Sequence, residues 1–405
     1  MVAVSTPPRA SLRDRITAAP DFGNLAKTGV SMAWMVSGRG LGLVWTAAML
    51  AFLGLNDYGR YTIATALSVI IALTVDHPFN VRAVRVDEEA FVRERATRAL
   101  VGVALGAASI GSYLLGGGYV VTFGLAFAGV EILLVSVMSR ATRRGDPRRL
   151  TRATALRQAA SVASGLAVLV GVPEATLEQV TLAYLMPMVV AACWAIPLVR
   201  GVKPAWPGPF RTAAMMSFEN FANGVYLQGD VLLVGALAGD RSAGIYALAS
   251  TIAWAPTAIG QFFGQTYHES LRNSRGHLAG GPSIRTTALL AFGAGALVLG
   301  VAGVMAAYSA ERSLVDATAI MAVFTALRVV SWVRTVALFI QERDGTRALS
   351  SAVGAALKLG AIAVLVCWVF PTGWSAPAAA LGAVIAESVV FVWLVRASRG
   401  VRADG

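Results

Sequence analysis

Apolar residues along this chain fall in long runs, not in the alternating pattern of half-buried strands or the striped pattern of water-facing helices. Twelve such runs can each cross the ~30 Å of bilayer hydrocarbon as a helix rising ~1.5 Å per residue. They lie at approximately 28–53, 61–80, 99–117, 119–139, 153–172, 179–199, 213–238, 243–266, 286–308, 314–340, 349–370 and 376–395. Between them stand short polar segments, the most basic being "RATRRGDPRRLTR" at 140–152. The pattern predicts an all-α polytopic membrane protein of about twelve transmembrane helices. It divides into an N-terminal tail (1–27), a first lobe of helices 1–6 (28–199), a linker (200–212), a second lobe of helices 7–12 (213–395) and a C-terminal tail (396–405).

Composition agrees with lipid as the solvent. Hydrophobic residues make up 56% of the 405 and charged residues 14%, against about 25% charged in soluble domains. Mean hydropathy is +0.65. The net charge of +12 does not indicate nucleic acid, because its carriers sit in the short inter-run segments. Twenty-six Lys and Arg lie in segments on the side of the N-terminus, and three (Arg60, Arg241, Arg312) on the other. That asymmetry predicts both termini in the cytoplasm, in a bacterial inner membrane. The Arg-rich, Lys-poor composition fits a GC-rich bacterial genome.

Several chemistries find no support. Cys193 and Cys367 lie inside apolar runs and read as small buried hydrophobes. The histidines (His77, His268, His277) have no metal-ligand spacing, and there is no P-loop or dinucleotide fingerprint. The outer segments are too short to bring carboxylates together as a membrane glycosyltransferase or polymerase would require. No enzyme activity and no cofactor are expected, and ATP hydrolysis would have to come from another protein.

The chain also repeats itself at an offset of 185 residues. "GLNDYGRYTIATAL" (54–67) aligns with "GDRSAGIYALASTI" (239–252), matching Gly54, Gly59, Tyr61 and Ala64 to Gly239, Gly244, Tyr246 and Ala249. Both segments join an outgoing to a returning helix. Six helices per half give a parallel repeat about an axis normal to the membrane, with a site between the halves. The glycines suit a tight outer turn, and the tyrosines are placed at the membrane interface. Tyr58, Tyr119, Trp206 and Trp374 read as interface anchors in the same way.

These residues, within "AFLGLNDYGRYTIATALSVI" (51–70) and "GDVLLVGALAGDRSAGIYALASTIA" (229–253), resemble the polysaccharide-flippase (Wzx-type) branch of the multidrug/oligosaccharidyl-lipid/polysaccharide (MOP) exporter superfamily. One departure is "VDHPFN", which keeps Asp76 but has Pro78 where the family often has Gly. The resemblance implies a V-shaped pair of six-helix lobes. It also implies alternating access that moves a polyprenyl-pyrophosphate-linked oligosaccharide to the outer leaflet, in partnership with glycan-assembly enzymes. A drug/cation antiporter of the same superfamily is the alternative, and a membrane glycosyltransferase or polymerase a more distant one.

Charges in mid-run are costly in lipid and face either a cavity or a partner. Arg39 is either a cationic clamp for pyrophosphate or the partner of Glu131. Arg328 lies mid-span, flanked by Thr325, Ser331 and Thr335. Lys358 and Glu387 either pair across adjacent helices or serve transport. Glu219, Asn223, Tyr226 and Asp230 share one helical face, since eleven residues turn about 1100°. That ladder can hold sugar hydroxyls or take a proton or Na⁺ for coupling. Asp76 and Gln261, equivalent in the repeat, either close an inner gate or cap helix ends.

Overall fold

A computed structural model of the chain describes residues 22–83, 85–144, 147–266, 283–341 and 344–399. The tails beyond these, and His268 and His277, lie outside the described residues. Those described are nearly all helical, with no strand among them. In order the helices are α1 (Phe22–Phe52), α2 (Gly54–Ala83), α3 (Glu88–Leu114), α4 (Tyr119–Arg143), α5 (Pro147–Gly171) and α6 (Leu177–Ala192). The stretch Phe210–Thr266 follows and breaks at Gly239 (φ 79°, ψ 173°) into α7 (210–238) and α8 (240–266). Then come α9 (Ile284–Ala307), α10 (Arg312–Ile340), α11 (Asp344–Val364) and α12 (Ser375–Arg399).

Among the described residues ten stretches are long and apolar enough to cross a membrane. One of them, Phe210–Gln261, contains two crossings, and α1 adds a shorter apolar part, Gly40–Phe52. The helices therefore follow the twelve apolar runs. The largest boundary difference is at α3, which begins at Glu88 instead of 99. The Asp87 carboxylate accepts from the Ala90 N–H (2.8 Å) and caps the helix. The charged turns that follow extend beyond the hydrocarbon, where their side chains find partners. Pro78 sits inside α2 without ending it.

The helices pack as two groups, α1–α6 and α7–α12, joined chiefly where α2 lies against α7 and α8. The first group has an aromatic core in which Trp45 stacks on Tyr184 at 4.7 Å, opposite Gly165, where a Cβ would meet the Trp45 ring at 2.4 Å. The second is filled by Tyr246, Met321, Phe324 and Ile362 with many alanines from α8 and α12.

The repeated glycines perform two different tasks. Gly54 and Gly239 both have φ +79°, a conformation that Gly adopts without steric cost, and each lets a helix start immediately after a turn. Gly59 and Gly244 instead face each other across the contact between the groups. A Cβ on Gly59 would lie 1.8 Å from the Asp240 carbonyl oxygen, and one on Gly244 would lie 2.7 Å from that of Leu55. Asp240 is the repeat equivalent of Leu55, so the contact is two-fold symmetric, as an isologous interface is. Further along, Gly235 faces Ile63 and Gly224 faces Ile70, and the Asn220 amide donates to the Leu73 carbonyl (2.9 Å). Thus α2 and α7 run antiparallel in contact over most of their length.

At the opposite, basic end, buried Arg98 bonds Asp76 (2.7 Å) and Asn80 (3.0 Å), and Arg82 grips Glu94 through two nitrogens. Arg143 donates to the carbonyls of Ala83 and Val86, satisfying the last turn of α2. The linker is tied to α3 as well: Thr97 donates to the Ala205 carbonyl (2.7 Å), the Ala205 N–H to that of Arg93 (3.3 Å), and Arg93 to that of Lys203 (3.3 Å).

Three sequence expectations are corrected. Tyr61 and Tyr246 are buried, not interfacial, because each lies seven residues, about 10 Å, past the turn. Tyr58 is buried too. Cys193 and Cys367 are exposed, facing outward from apolar helical segments where lipid is the natural neighbour.

The glycine crossing makes a testable demand. In a chain with Cys193 and Cys367 replaced by Ala, Gly59→Leu should force α2 and α8 apart. A Thr62→Cys reporter beneath the crossing should then react faster with an impermeant maleimide applied from the Gly54/Gly239 side. Unchanged labelling would mean that the contact does not seal that end.

Candidate functional site

Two cavities lie where the helix groups meet. The larger, about 600 Å³, is lined by Thr46 of α1, Tyr58, Tyr61, Thr62 and Thr65 of α2, Gln228 of α7, Ser250, Thr251, Trp254, Thr257 and Gln261 of α8, and Trp332 of α10. Among the described residues, none that lines it is charged. The smaller, about 290 Å³, is lined by His77 of α2, Glu219, Asn220, Asn223 and Tyr226 of α7, Arg328, Trp332 and Thr335 of α10, and Ser350 and Ser351 of α11. Trp332 belongs to both walls. The Gly59–Gly244 crossing lies beyond the larger cavity, toward the Gly54/Gly239 end.

The charges sit in and behind the smaller cavity. The Arg328 guanidinium carbon is 5.0 Å from the Tyr226 ring centre, 5.2 Å from that of Trp254 and 4.8 Å from that of Trp332. Each such contact contributes on the order of 0.5–2 kcal/mol. Arg328 Nη1 also donates to Glu387 Oε2 and to the Tyr226 hydroxyl oxygen, both at 3.3 Å, and the Tyr226 hydroxyl donates to Glu387. The Arg328 side chain is 11% exposed and that of Glu387 0%. Arg328 Nε and Glu387 Oε1 make no hydrogen bond.

A second ion pair lies deeper. Lys358 of α11 pairs with Asp230 of α7, each side chain 1% exposed, and donates to the Tyr226 carbonyl (3.0 Å). Asp230 also accepts from the Tyr246 hydroxyl and the Val231 N–H. Two formal positive and two formal negative charges are thus paired inside one lobe. An isolated ion there would cost several kcal/mol.

The expected residues are divided by this geometry. Arg328, Glu219, Asn223 and Tyr226 come together on the smaller cavity. Asp230 leaves the α7 ladder and faces the lobe core. Lys358 pairs with Asp230, and Glu387 with Arg328, not with each other, because packing turns both toward helices they do not follow in sequence. Glu131 pairs with Arg157 of α5; the Arg39 side chain lies outside the described residues. Gln261 lines the larger cavity, whereas Asp76 is held by Arg98 within the first lobe, so the two do not meet. Thr325 ties α10 to the Ala253 carbonyl of α8 (3.0 Å), and Thr335 lines the smaller cavity.

Sequence reasoning missed the cage of Trp254 and Trp332. The available signal was an aromatic residue four positions after Arg328, on the same helical face.

The pairing predicts non-additive stability. Lys358→Met strands a buried carboxylate and should cost about 3–5 kcal/mol. Adding Asp230→Leu should recover much of that loss, read by thermal unfolding in detergent. A double variant as unstable as the sum of the singles would show that the pair is not coupled.

No family model matches the chain, and no curated protein matches its sequence. Solved structures do match its fold. A lipid II flippase, MurJ, in an inward closed conformation aligns with TM-score 0.68 at 10% identity, covering 91% of this chain and 87% of that one. An inward-facing multidrug resistance MATE transporter of the MOP superfamily aligns with TM-score 0.64 at 14% identity, covering 90% and 96%. A MOP superfamily transporter from Pyrococcus furiosus aligns with TM-score 0.57 at 14% identity, covering 92% and 94%. Over nine-tenths of its length, the chain has the two-group helical fold that these membrane proteins share.

Proposed function

We propose that this protein is a secondary transporter that flips a polyprenyl-pyrophosphate-linked oligosaccharide from the inner to the outer leaflet by alternating access. The observation that carries this reading is the caged Arg328, a cation held by three aromatic rings on the wall between two inter-lobe cavities. A pyrophosphate crossing an apolar region needs a compensating cation. The planar guanidinium can offer two parallel N–H bonds to phosphate oxygens.

The larger cavity suits the glycan. Its polar groups are hydroxyls and amides, donors and acceptors for sugar hydroxyls, and its aromatic rings offer apolar faces. At about 600 Å³ it falls in the range of small-ligand sites, about 300–1,000 Å³. Among the described residues no acidic side chain lines it, which argues against a cationic drug as cargo. The likeness to a lipid II flippase supports a lipid-linked cargo, and the charge asymmetry supports placing the basic end in the cytoplasm.

In the described conformation Arg328 is paired with Glu387. Cargo phosphate must therefore compete with a carboxylate, with Tyr226 bonded to that carboxylate and stacked under the guanidinium. Release of Glu387 as phosphate binds gives the second lobe two arrangements, the minimum that alternating access needs. Asp230 is held by Lys358, Tyr246 and its own backbone, so coupling to H⁺ or Na⁺ through the α7 ladder falls to Glu219 on the smaller cavity.

Transport is read as the leaflet accessibility of the lipid-linked glycan in liposomes. Arg328→Ala should lower its rate about 10- to 100-fold, the worth of a charged hydrogen bond. Arg328→Lys should restore only part of the loss. A well-inserted Arg328→Ala protein with the normal rate would overturn the reading. Glu219→Gln should slow transport and alter its pH or Na⁺ dependence without affecting insertion, whereas Asp230→Asn should chiefly destabilise the fold. If Glu219→Gln transports normally across pH and Na⁺, coupling lies elsewhere. Cysteines placed at 143–149 should resist an impermeant maleimide in intact cells, and labelling there would reverse the orientation.

A further inference from the structure

Away from both cavities, the first lobe carries a groove of about 710 Å³ at its Gly54/Gly239 end. Helices α3 and α6 form its sides and α4 its floor. Ile110, Phe123, Ala126, Leu182 and Leu185 line it, with Tyr113 and Tyr119 toward the mouth. From Tyr119 to Ala126 is seven residues, or about 10 Å, two-thirds of one hydrocarbon leaflet of about 15 Å. Ile110, Tyr113 and Leu182 remain exposed, so the groove opens sideways to lipid.

Its mouth is charged. Arg60 stands beside two carboxylates, Asp57 and Glu178, each at 3.5 Å, and its guanidinium lies 5.2 Å from the Tyr119 ring centre. Arg60 Nη2 donates to Glu178 Oε1 at 3.5 Å, longer than the ~2.7–2.9 Å of a strong charge-assisted bond, and the guanidinium has further N–H groups to offer. One cation and two anions within reach of each other form a headgroup pattern. A phosphate takes Arg60, and a primary ammonium donates N–H bonds to the two carboxylates.

We propose that this groove is a binding site for an aminophospholipid, a zwitterionic lipid with a primary amine such as phosphatidylethanolamine. One acyl chain lies between α3 and α6, and the headgroup sits on Asp57, Arg60 and Glu178. With the basic end in the cytoplasm, the lipid belongs to the outer leaflet, where cargo is released. The chemistry sets an order. A choline headgroup carries the same charges but has no N–H to donate. A glycerol headgroup leaves a net negative lipid facing a net negative mouth.

The test uses the full chain in nanodiscs of equimolar phosphatidylethanolamine, phosphatidylcholine and phosphatidylglycerol, with the co-purifying lipid counted by native mass spectrometry. Retained lipid should be enriched about threefold in phosphatidylethanolamine over phosphatidylcholine, the scale of an exposed ion pair. Phosphatidylglycerol should be retained least. Asp57→Asn with Glu178→Gln should abolish the preference for the amine. If that pair impairs folding, Glu178→Gln alone, a change at an exposed side chain, should reduce it. Leu182→Trp should fill the groove and lower retention of all three lipids. Equal retention by the native chain, enrichment in phosphatidylglycerol, or a preference that survives the charge variants would each overturn the proposal. So would a dimer in place of bound lipid, which would assign the face to a second copy of the chain.

Discussion

Two helices can touch backbone to backbone only where neither presents a side chain, and the crossing of Gly59 with Gly244 meets that condition. Everything between the lobes is arranged around it. It brings α2 and α8 together at one end and leaves the larger cavity below. Because α2 continues down α7 to Asn220, the lobes also share a seam along their length. The linker, bonded to α3 through Lys203 and Ala205, ties the other end of that seam. On the alternating-access reading proposed above, the contact and the seam together are what the lobes would pivot on.

The second constraint is electrostatic. A low-dielectric interior tolerates ions only as pairs with their remaining bonds satisfied. The second lobe meets this condition well at Lys358 and Asp230 and less fully at Arg328 and Glu387, where one nitrogen and one oxygen stay unbonded. The tighter pair has the character of scaffold. The looser one has its Arg328 end on a cavity wall. Aromatic rings around Arg328 hold the cation in place without consuming its N–H donors.

Much of the fold was legible in the sequence, because lipid demands uninterrupted apolar helices, and the repeat marked the symmetric turns. Helix rotation was not legible. In water a polar face reveals which side is out. In lipid both sides are apolar, so Cys193 and Cys367 could be read as buried when they face outward. The same ambiguity hid the partners of the mid-span charges. Lys358 and Glu387 lie on consecutive helices, yet each turns to a helix distant in sequence. Gly54 and Gly59 belong to one motif, but only coordinates separate a glycine needed for its φ from one needed for its missing Cβ. Within the site, Arg328 and the α7 residues were found by the cost of burying them. Trp254 and Trp332 carried no such cost and escaped notice.

The balance of charges in the second lobe has an electrical consequence. Asp230, Glu387, Lys358 and Arg328 together carry no net formal charge. If they move as a body when the lobes rock, they transfer no charge across the membrane field, which acts at about 2.3 kcal/mol per elementary charge per 100 mV. On the function proposed above, these four groups would then add no voltage dependence to the return of the empty protein, and that dependence would come from charges outside the two pairs.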